Sequence, residues 1–292
     1  MAVKELQSSP GMLPMFARAG ASMLPLASRL PFIGGGGKEI PDLTLVLNDV
    51  EVDRDRLASY DRVCGFSLSD SLPATYPHML AFPMQLSLMT DGSFPFPAIG
   101  LVHIYNRIVQ HRPIQLGETL SISVRATPVE PHPRGRQFSL LTDVRVGDEL
   151  VWEEVSTNLR RGSGGSETAE SPGPPSTEDV PISATWQLPG DLGRRYGAVS
   201  GDLNPIHVHS LTARLFGFPS AIAHGLWTKA RCVAALAPRL PERFTVDAAF
   251  KKPIILPATV GFAEETVSRG IRFGVRDPEK GTPHLDGQLD FS

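Results

Sequence analysis

Between Ser200 and His209 the chain reads SGDLNPIHVH, which sets a carboxylate (Asp202), an amide (Asn204) and two imidazoles (His207, His209) within ten residues. A carboxylate beside an imidazole can hold a water between them and pass a proton in either direction. Asp202 and His207 are five residues apart, which on a regular helix would point them about 140° from one another. Pro205 prevents that helix, because the residue before a proline is pushed out of the α region. A turn can instead bring the two side chains together. Taken alone, the stretch is more simply a polar turn whose Asp and Asn bond their own backbone. His207 and His209, on alternate positions, also offer three ligands together with Asp202. The turn at Pro205 works against the convergence that a zinc ion needs, so no metal is expected. Ser210 reads as the N-cap of a short helix, LTARLF, that ends at Gly217.

The second chemistry-bearing stretch is AIAHGLW, residues 221–227. His224 and Gly225 open a segment, GLWTKARCVAALA, that is apolar on nearly every side and so reads as a buried helix. The first N–H groups of a helix have no partner within it, and the dipole there favours negative charge. Gly225 would let a substrate come close to that backbone. A carbonyl that gains charge would find its donors here. The plainer alternative is a glycine that starts a helix and binds nothing.

The elements that must hold these groups repeat along the chain. Tyr76-Pro77 aligns with Phe218-Pro219, QHRPIQLGETL with FKKPIILPATV, and Tyr60 with Tyr196, in the same order and at offsets of 142, 140 and 136. Ordered anchors of this kind argue for an internal duplication. Between the halves lies RRGSGGSETAESPGPPSTEDV, a Gly-, Ser- and Pro-rich stretch too polar to order itself by burial. The expected division is residues 1–160, a linker over 161–180, and residues 181–292. Each half reads as one buried helix followed by strands with alternating or β-branched patterns. Those strands are HIYNRIVQH, ETLSISVRATPVE, RQFSLLTDVRV and ELVWEEVSTNLR in the first half. In the second they are RFTVDAAFKK, ATVGFAEETVS, IRFGVRD and HLDGQLDF. The fold class is therefore α+β, a sheet wrapped on a helix.

The halves differ where the chemistry lies. In the first half Phe82 and Pro83 stand for His224 and Gly225, its helix reads as the shorter PMQLSLM, and no Asp/His pair precedes it. Proline has no N–H to donate. Donor and acid–base pair are thus absent together in one half and present together in the other, which points to one site per chain.

Composition adds boundaries. A net charge of −3 gives no global reason to expect nucleic acid or an anionic membrane as partner. Two cysteines, Cys64 and Cys232, without a paired motif suit a reduced, cytoplasmic protein. No uninterrupted apolar run reaches membrane-spanning length. The apolar, Arg-bearing stretch over residues 11–37 is broken by Pro14, Pro25 and Pro31 and reads as a packed arm rather than a targeting segment.

The stretch YGAVSGDLNPIHVHSLTARLFGFPSAIAHGLW resembles the hydratase motif of MaoC-like (R)-specific enoyl-thioester hydratases. The first half, with HRPIQLGE, resembles the non-catalytic half of double hotdog members, which include 3-hydroxyacyl-thioester dehydratases. The resemblance implies two tandem hotdog units, the first degenerate and the second catalytic. It implies reversible hydration of trans-2-enoyl thioesters to (R)-3-hydroxyacyl thioesters in fatty-acid metabolism, carried by coenzyme A or an acyl-carrier protein, with no cofactor. Asp202 and His207 would be the acid–base pair, Asn204 would orient them or the water, and Gly225 would polarise the carbonyl. Lys251 and Lys252 are candidate contacts for the carrier's phosphates, or an ordinary solvated pair. His224 and Phe218 are further candidates for substrate contact. Met79, Phe82, Met84 and Met89 would suit an acyl chain, or simply pack the core. Some relatives carry a small hydroxyl residue two turns into the helix; Val233 stands there, so no helix side chain is given a catalytic role. A homodimer of double hotdogs is the expected assembly. The rival readings are a hotdog thioesterase and a non-catalytic acyl-thioester binding module.

Overall fold

A computed structural model describes residues 2–12, 14–16, 37–162, 166 and 173–291. Most of the apolar arm expected over residues 11–37 lies outside them. The chain forms two compact units. The first comprises Met1–Glu51, His78–Ile104 and Glu118–Ser171; the second comprises Val52–Pro77, Tyr105–Gly117 and Pro172–Ser292. The sequence halves and the compact units differ in one respect. Residues 52–77 and 105–117 precede the linker yet pack with the second unit. Their partners there, given below, are aromatic rings and backbone carbonyls that a linear reading cannot assign.

The first unit carries strands β1 (Ala2–Leu6), β2 (Leu43–Val50), β4 (Leu120–Ala126), β5 (Glu130–His132), β6 (Gly135–Val146) and β7 (Glu149–Arg161). β1 runs parallel to β2, and β2, β4, β6 and β7 follow as antiparallel neighbours. Its helix is longer than the sequence suggested, Pro77–Met89 rather than 83–89. Pro77 suits a first helical position, where its missing N–H costs nothing. Pro83 then falls inside the helix and leaves the carbonyl of Met79 without its usual donor. Met79 and Met84 are completely buried. The interior also holds a polar network. His78 Nδ1 lies 2.7 Å from Glu154 Oε1, and Gln85 Nε2 donates to Glu154 Oε2 at 3.0 Å and to Thr142 Oγ1 at 3.1 Å.

The second unit is an antiparallel sheet in the order β3-β9-β12-β11-β10-β8. Its strands are β3 (Leu101–Gln110, from Tyr105 onward), β8 (Ile182–Leu188), β9 (Phe244–Phe250), β10 (Ala258–Val267), β11 (Gly270–Arg276) and β12 (Pro283–Asp290). Number the helices in chain order: α1 (Arg54–Cys64), α2 (Pro77–Met89, of the first unit), α3 (Leu192–Ser200), α4 (Pro205–Val208), α5 (Ser210–Leu215) and α6 (Gly225–Leu236). α6 is the central helix, with Leu226, Trp227, Ala230, Cys232, Val233 and Leu236 buried. Lys229 is buried with them at 0% exposure. Its Nζ donates to Asn106 O, Asn106 Oδ1 and Val246 O, at 3.0, 2.5 and 3.0 Å.

α1 joins this unit by three contacts. Arg56 Nε donates to Val199 O at 3.0 Å, Trp227 Nε1 donates to Val63 O at 2.9 Å, and the rings of Tyr60 and Tyr196 lie 6.3 Å apart. The end of the polar linker is also held. Thr177 donates through its N–H and Oγ1 to Asp286 Oδ1, and Arg276 donates to the carbonyls of Thr177 and Val180. Charge-assisted hydrogen bonds therefore order residues that apolar burial alone would not. Among the described residues, no helix is long and apolar enough to cross a membrane.

Candidate active site

α3 ends at Gly201, whose φ of 81° is the left-handed conformation that glycine reaches without cost. The chain then reverses over the face of α3. A Cβ on Gly193 would lie 1.9 Å from the His207 carbonyl oxygen, and one on Gly197 would lie 2.9 Å from that of Asp202. These two glycines, one helical turn apart, let the reactive segment lie directly on α3. Sequence reading had not picked them out, although their four-residue spacing was the available signal.

The turn itself is built from side chain to backbone. Ser200 Oγ accepts from Asp202 N at 3.1 Å, and Asp202 Oδ1 accepts from Asn204 N at 3.1 Å. Asn204 is the N-cap of α4, with Oδ1 accepting from Ile206 N at 3.4 Å and Pro205 in the first turn. The expected turn and the expected acid are thus one structure. His209, not Ser210, caps α5: its Nδ1 accepts from Leu211 N at 3.1 Å. An imidazole nitrogen can accept as a hydroxyl does, and this use takes His209 out of any shared metal set.

His207 Nδ1 lies 2.8 Å from the carbonyl oxygen of Ile222. A carbonyl only accepts, so Nδ1 carries the proton and Nε2 keeps the lone pair. Burial holds this imidazole below its usual pKa, opposed by the charge of Asp202 and the bond to Ile222. His224, 3% exposed, stacks on it with ring centroids 3.7 Å apart and planes 25° apart. His224 Nε2 lies 3.1 Å from Asp202 O and 3.7 Å from Asp202 Oδ2. Burial and the neighbouring His207 push its pKa well down, so it is neutral. Its Nδ1 is buried with no hydrogen-bond partner among the described residues.

Ligand atoms of Asp202, His207 and His224 fall within 4.8 Å of one another, a set with the composition of a zinc site. The ring geometry does not suit one. Imidazoles stacked this closely keep their in-plane lone pairs in nearly parallel planes, whereas tetrahedral coordination needs them to converge on one point. The cluster is better arranged for proton transfer.

His224 is also the N-cap residue of α6 and makes no side-chain cap bond. The first intrahelical bond runs from Thr228 N to His224 O. The first-turn N–H groups, Gly225's among them, therefore open next to the stacked pair, and no acidic residue occupies that turn. A Cβ on Gly225 would meet the ring of Phe250 at 3.0 to 3.2 Å, so a protein neighbour also crowds any side chain at this position.

The remaining candidates lie apart from this cluster in their contacts. Phe218 is half-buried and closes the turn after α5, its N–H donating to Ala213 O at 3.1 Å. Lys251 and Lys252 are exposed; Lys251 Nζ faces Asp286 Oδ2 at 3.5 Å, beside the held linker. Val233 is 1% exposed and packs in the core.

Residues 167–288 match the family model described as MaoC like domain. The chain is 35% identical over 279 residues to 3-hydroxyacyl-thioester dehydratase X of Mycobacterium tuberculosis, covering 95% of this chain and 97% of that protein. A crystal structure of HtdX from the same organism superposes with a TM-score of 0.75, covering 84% of this chain and 98% of the other. A MaoC-like dehydratase from Phytophthora capsici, 19% identical, shares the fold with a TM-score of 0.72 over 88% of this chain and 96% of its own.

Proposed function

Because the chain belongs to the family of MaoC-like dehydratases, with its hotdog fold, we propose that it hydrates trans-2-enoyl thioesters to (R)-3-hydroxyacyl thioesters and catalyses the reverse dehydration in fatty-acid metabolism. The observation that carries the residue assignment is the grouping of Asp202 and His207, with ligand atoms within 4.8 Å of one another, against an uncapped helix N-terminus. Such a site offers a lone pair, a carboxylate and outward N–H donors in one place.

In this reading a water lies between Asp202 and His207 Nε2. Its oxygen bonds to C3 of the enoyl thioester as the pair takes one of its protons. The π electrons of the C2=C3 bond move onto C2 and the thioester oxygen, and C2 then takes a proton from the pair. The first-turn N–H of Gly225 donates to the thioester oxygen as it gains charge, which is where a preorganised donor lowers the barrier. Asn204 holds the turn and thereby the direction of Asp202. Dehydration runs the same steps backwards. The carrier is coenzyme A or an acyl-carrier protein. The proposal includes a duplicated arrangement over residues 1–160 and 181–292 with the site in the second half, a homodimer of such chains, and a cytoplasmic location.

The test is crotonyl-CoA with the purified protein. Loss of the conjugated-enoyl absorbance without release of free thiol, together with loss of that rate by at least a hundredfold in Asp202→Asn and His207→Ala, is the expected result. Thiol release would make it a thioesterase. An unchanged rate in both variants would remove the pair from the mechanism.

A further inference from the structure

His224 is 3% exposed, and two of its side-chain contacts are with the proposed acid–base pair. Its ring lies on that of His207 at 3.7 Å, and its Nε2–H donates to the main-chain oxygen of Asp202 at 3.1 Å. The ring of Tyr196 also stands 4.9 Å away, at 55°. From these contacts, and resting on the function proposed above, we infer that His224 is a positioning residue with two separable parts. Its ring face supports the imidazolium form of His207, and its N–H holds Asp202.

The physical argument follows the proton. When His207 Nε2 takes a proton from water, a positive charge appears one ring thickness from His224. A cation over the face of a neutral aromatic ring is attracted by the ring's quadrupole, more strongly where water is excluded. A charged His224 would instead repel it. Burial and the neighbouring His207 on α4 favour the neutral form of His224, opposed by its bond to the main-chain oxygen of Asp202, while the Tyr196 ring on α3 adds no charge. Its tautomer follows from the same contact. Asp202 O accepts, so Nε2 carries the hydrogen and Nδ1 has none. The carboxylate of Asp202, 3.7 Å from Nε2, is the one acidic group within this set and lies beside both imidazoles.

Three variants separate the parts. His224→Phe keeps an aromatic face and loses the donor. His224→Gln keeps a side-chain N–H and loses the ring. His224→Leu loses both while filling the space. The measurement is the titration of His207 by ¹⁵N-resolved NMR in the substrate-free protein, paired with kcat and KM for crotonyl-CoA against pH. The expected result is that the Phe variant keeps the His207 pKa close to wild type, while Gln and Leu lower it by about half a unit. The Phe and Leu variants should lose kcat by about tenfold through misplacement of Asp202, with KM little changed. The inference is overturned if the four proteins give superimposable His207 titrations, or if the His207 pKa of the Phe variant falls as far as that of the Leu variant. Should the Leu variant fail to fold, Phe against Gln carries the same comparison. A wild-type protein without hydratase activity would sink the proposed function but leave the NMR comparison standing, so the two failures are distinguishable.

Discussion

Gly225→Ala tests how the site is built, because it adds one methyl group at the helix start. The new Cβ would lie 3.0, 3.1 and 3.2 Å from Cδ1, Cε1 and Cγ of Phe250. Carbon atoms settle at about 3.5–4.0 Å, so the helix start and the ring must separate by roughly half an ångström. Overpacking of this kind costs about 1–3 kcal/mol, and replacing glycine in a helix returns up to about 1 kcal/mol. The net effect is about 1 kcal/mol, a fall in Tm of roughly 2–4 °C for a protein of this size. Activity is the more sensitive reading. A misplacement of 1 Å can cost about a hundredfold, so half that distance at the carbonyl donor should lower kcat about tenfold. Phe250→Leu removes the ring, and the double variant Gly225→Ala/Phe250→Leu should recover kcat to within about threefold of Phe250→Leu alone, a coupling of more than about 0.5 kcal/mol between touching residues. Steady-state hydration of crotonyl-CoA and a thermal melt of all four proteins measure this. If the double variant is as impaired as Gly225→Ala, the added methyl blocks the substrate itself and the Phe250 argument is refuted.

Two further predictions concern stability. Asp61 is 1% exposed, one of its oxygens has no partner among the described residues, and burial raises its carboxyl from 3.8 to about 6. The folded state therefore holds that proton more tightly than the unfolded chain. Stability contributed this way is present below pH 4 and is lost as pH rises through about 6, by at most roughly 3 kcal/mol. Asp61→Asn should raise Tm at pH 7.5 and have little effect at pH 4, measured by calorimetry; an equal shift at both would sink the assignment. Lys229→Met removes the donor from Asn106 O, Asn106 Oδ1 and Val246 O. Leaving buried acceptors unpaired should cost about 2–4 kcal/mol, seen as a fall in denaturation midpoint; a stabilised Met variant would show that the apolar replacement outweighs the lost bonds.

What was legible in the sequence was local. Pro205 between Asp202 and His207 announced a turn, and the side-chain bonds of Ser200, Asp202 and Asn204 are that turn. The last four strands were legible because β9 to β12 alternate or carry β-branched residues. What failed to show was contact at a distance. His224 stands 17 residues after His207, and nothing in their spacing says that their rings stack. That follows from the path of α4 and α5 over the glycine face of α3. α1 has a readable start at Asp53, whose side chain accepts from Arg56 N, and a readable stop at Gly65. Its membership in the second unit depends on Tyr196, Val199 and Trp227, more than a hundred residues away. The linker misled for the same reason. Its composition gives no sign of order, but its last residues, Thr177 and Val180, are held by Asp286 and Arg276 from the far end of the chain.

The first unit's helix shows why one site per chain follows from where a helix begins. The sequence comparison set Pro83 against Gly225 and took the missing N–H as the loss of a donor. In the structure the difference is larger, because α2 starts at Pro77 and reaches Pro83 only in its second turn. N–H groups at that depth are spent on carbonyls four residues earlier, so replacing Pro83 by glycine would add an occupied donor rather than an open one. In the second unit the chain spends residues 201–224 on the turn, α4 and α5 before α6 begins. That detour delivers Asp202 and His207, and it delays the helix so that its first N–H groups open beside them. The proposed acid, base and donor are therefore one insertion in structural terms. Their joint absence from the first half is the absence of that detour.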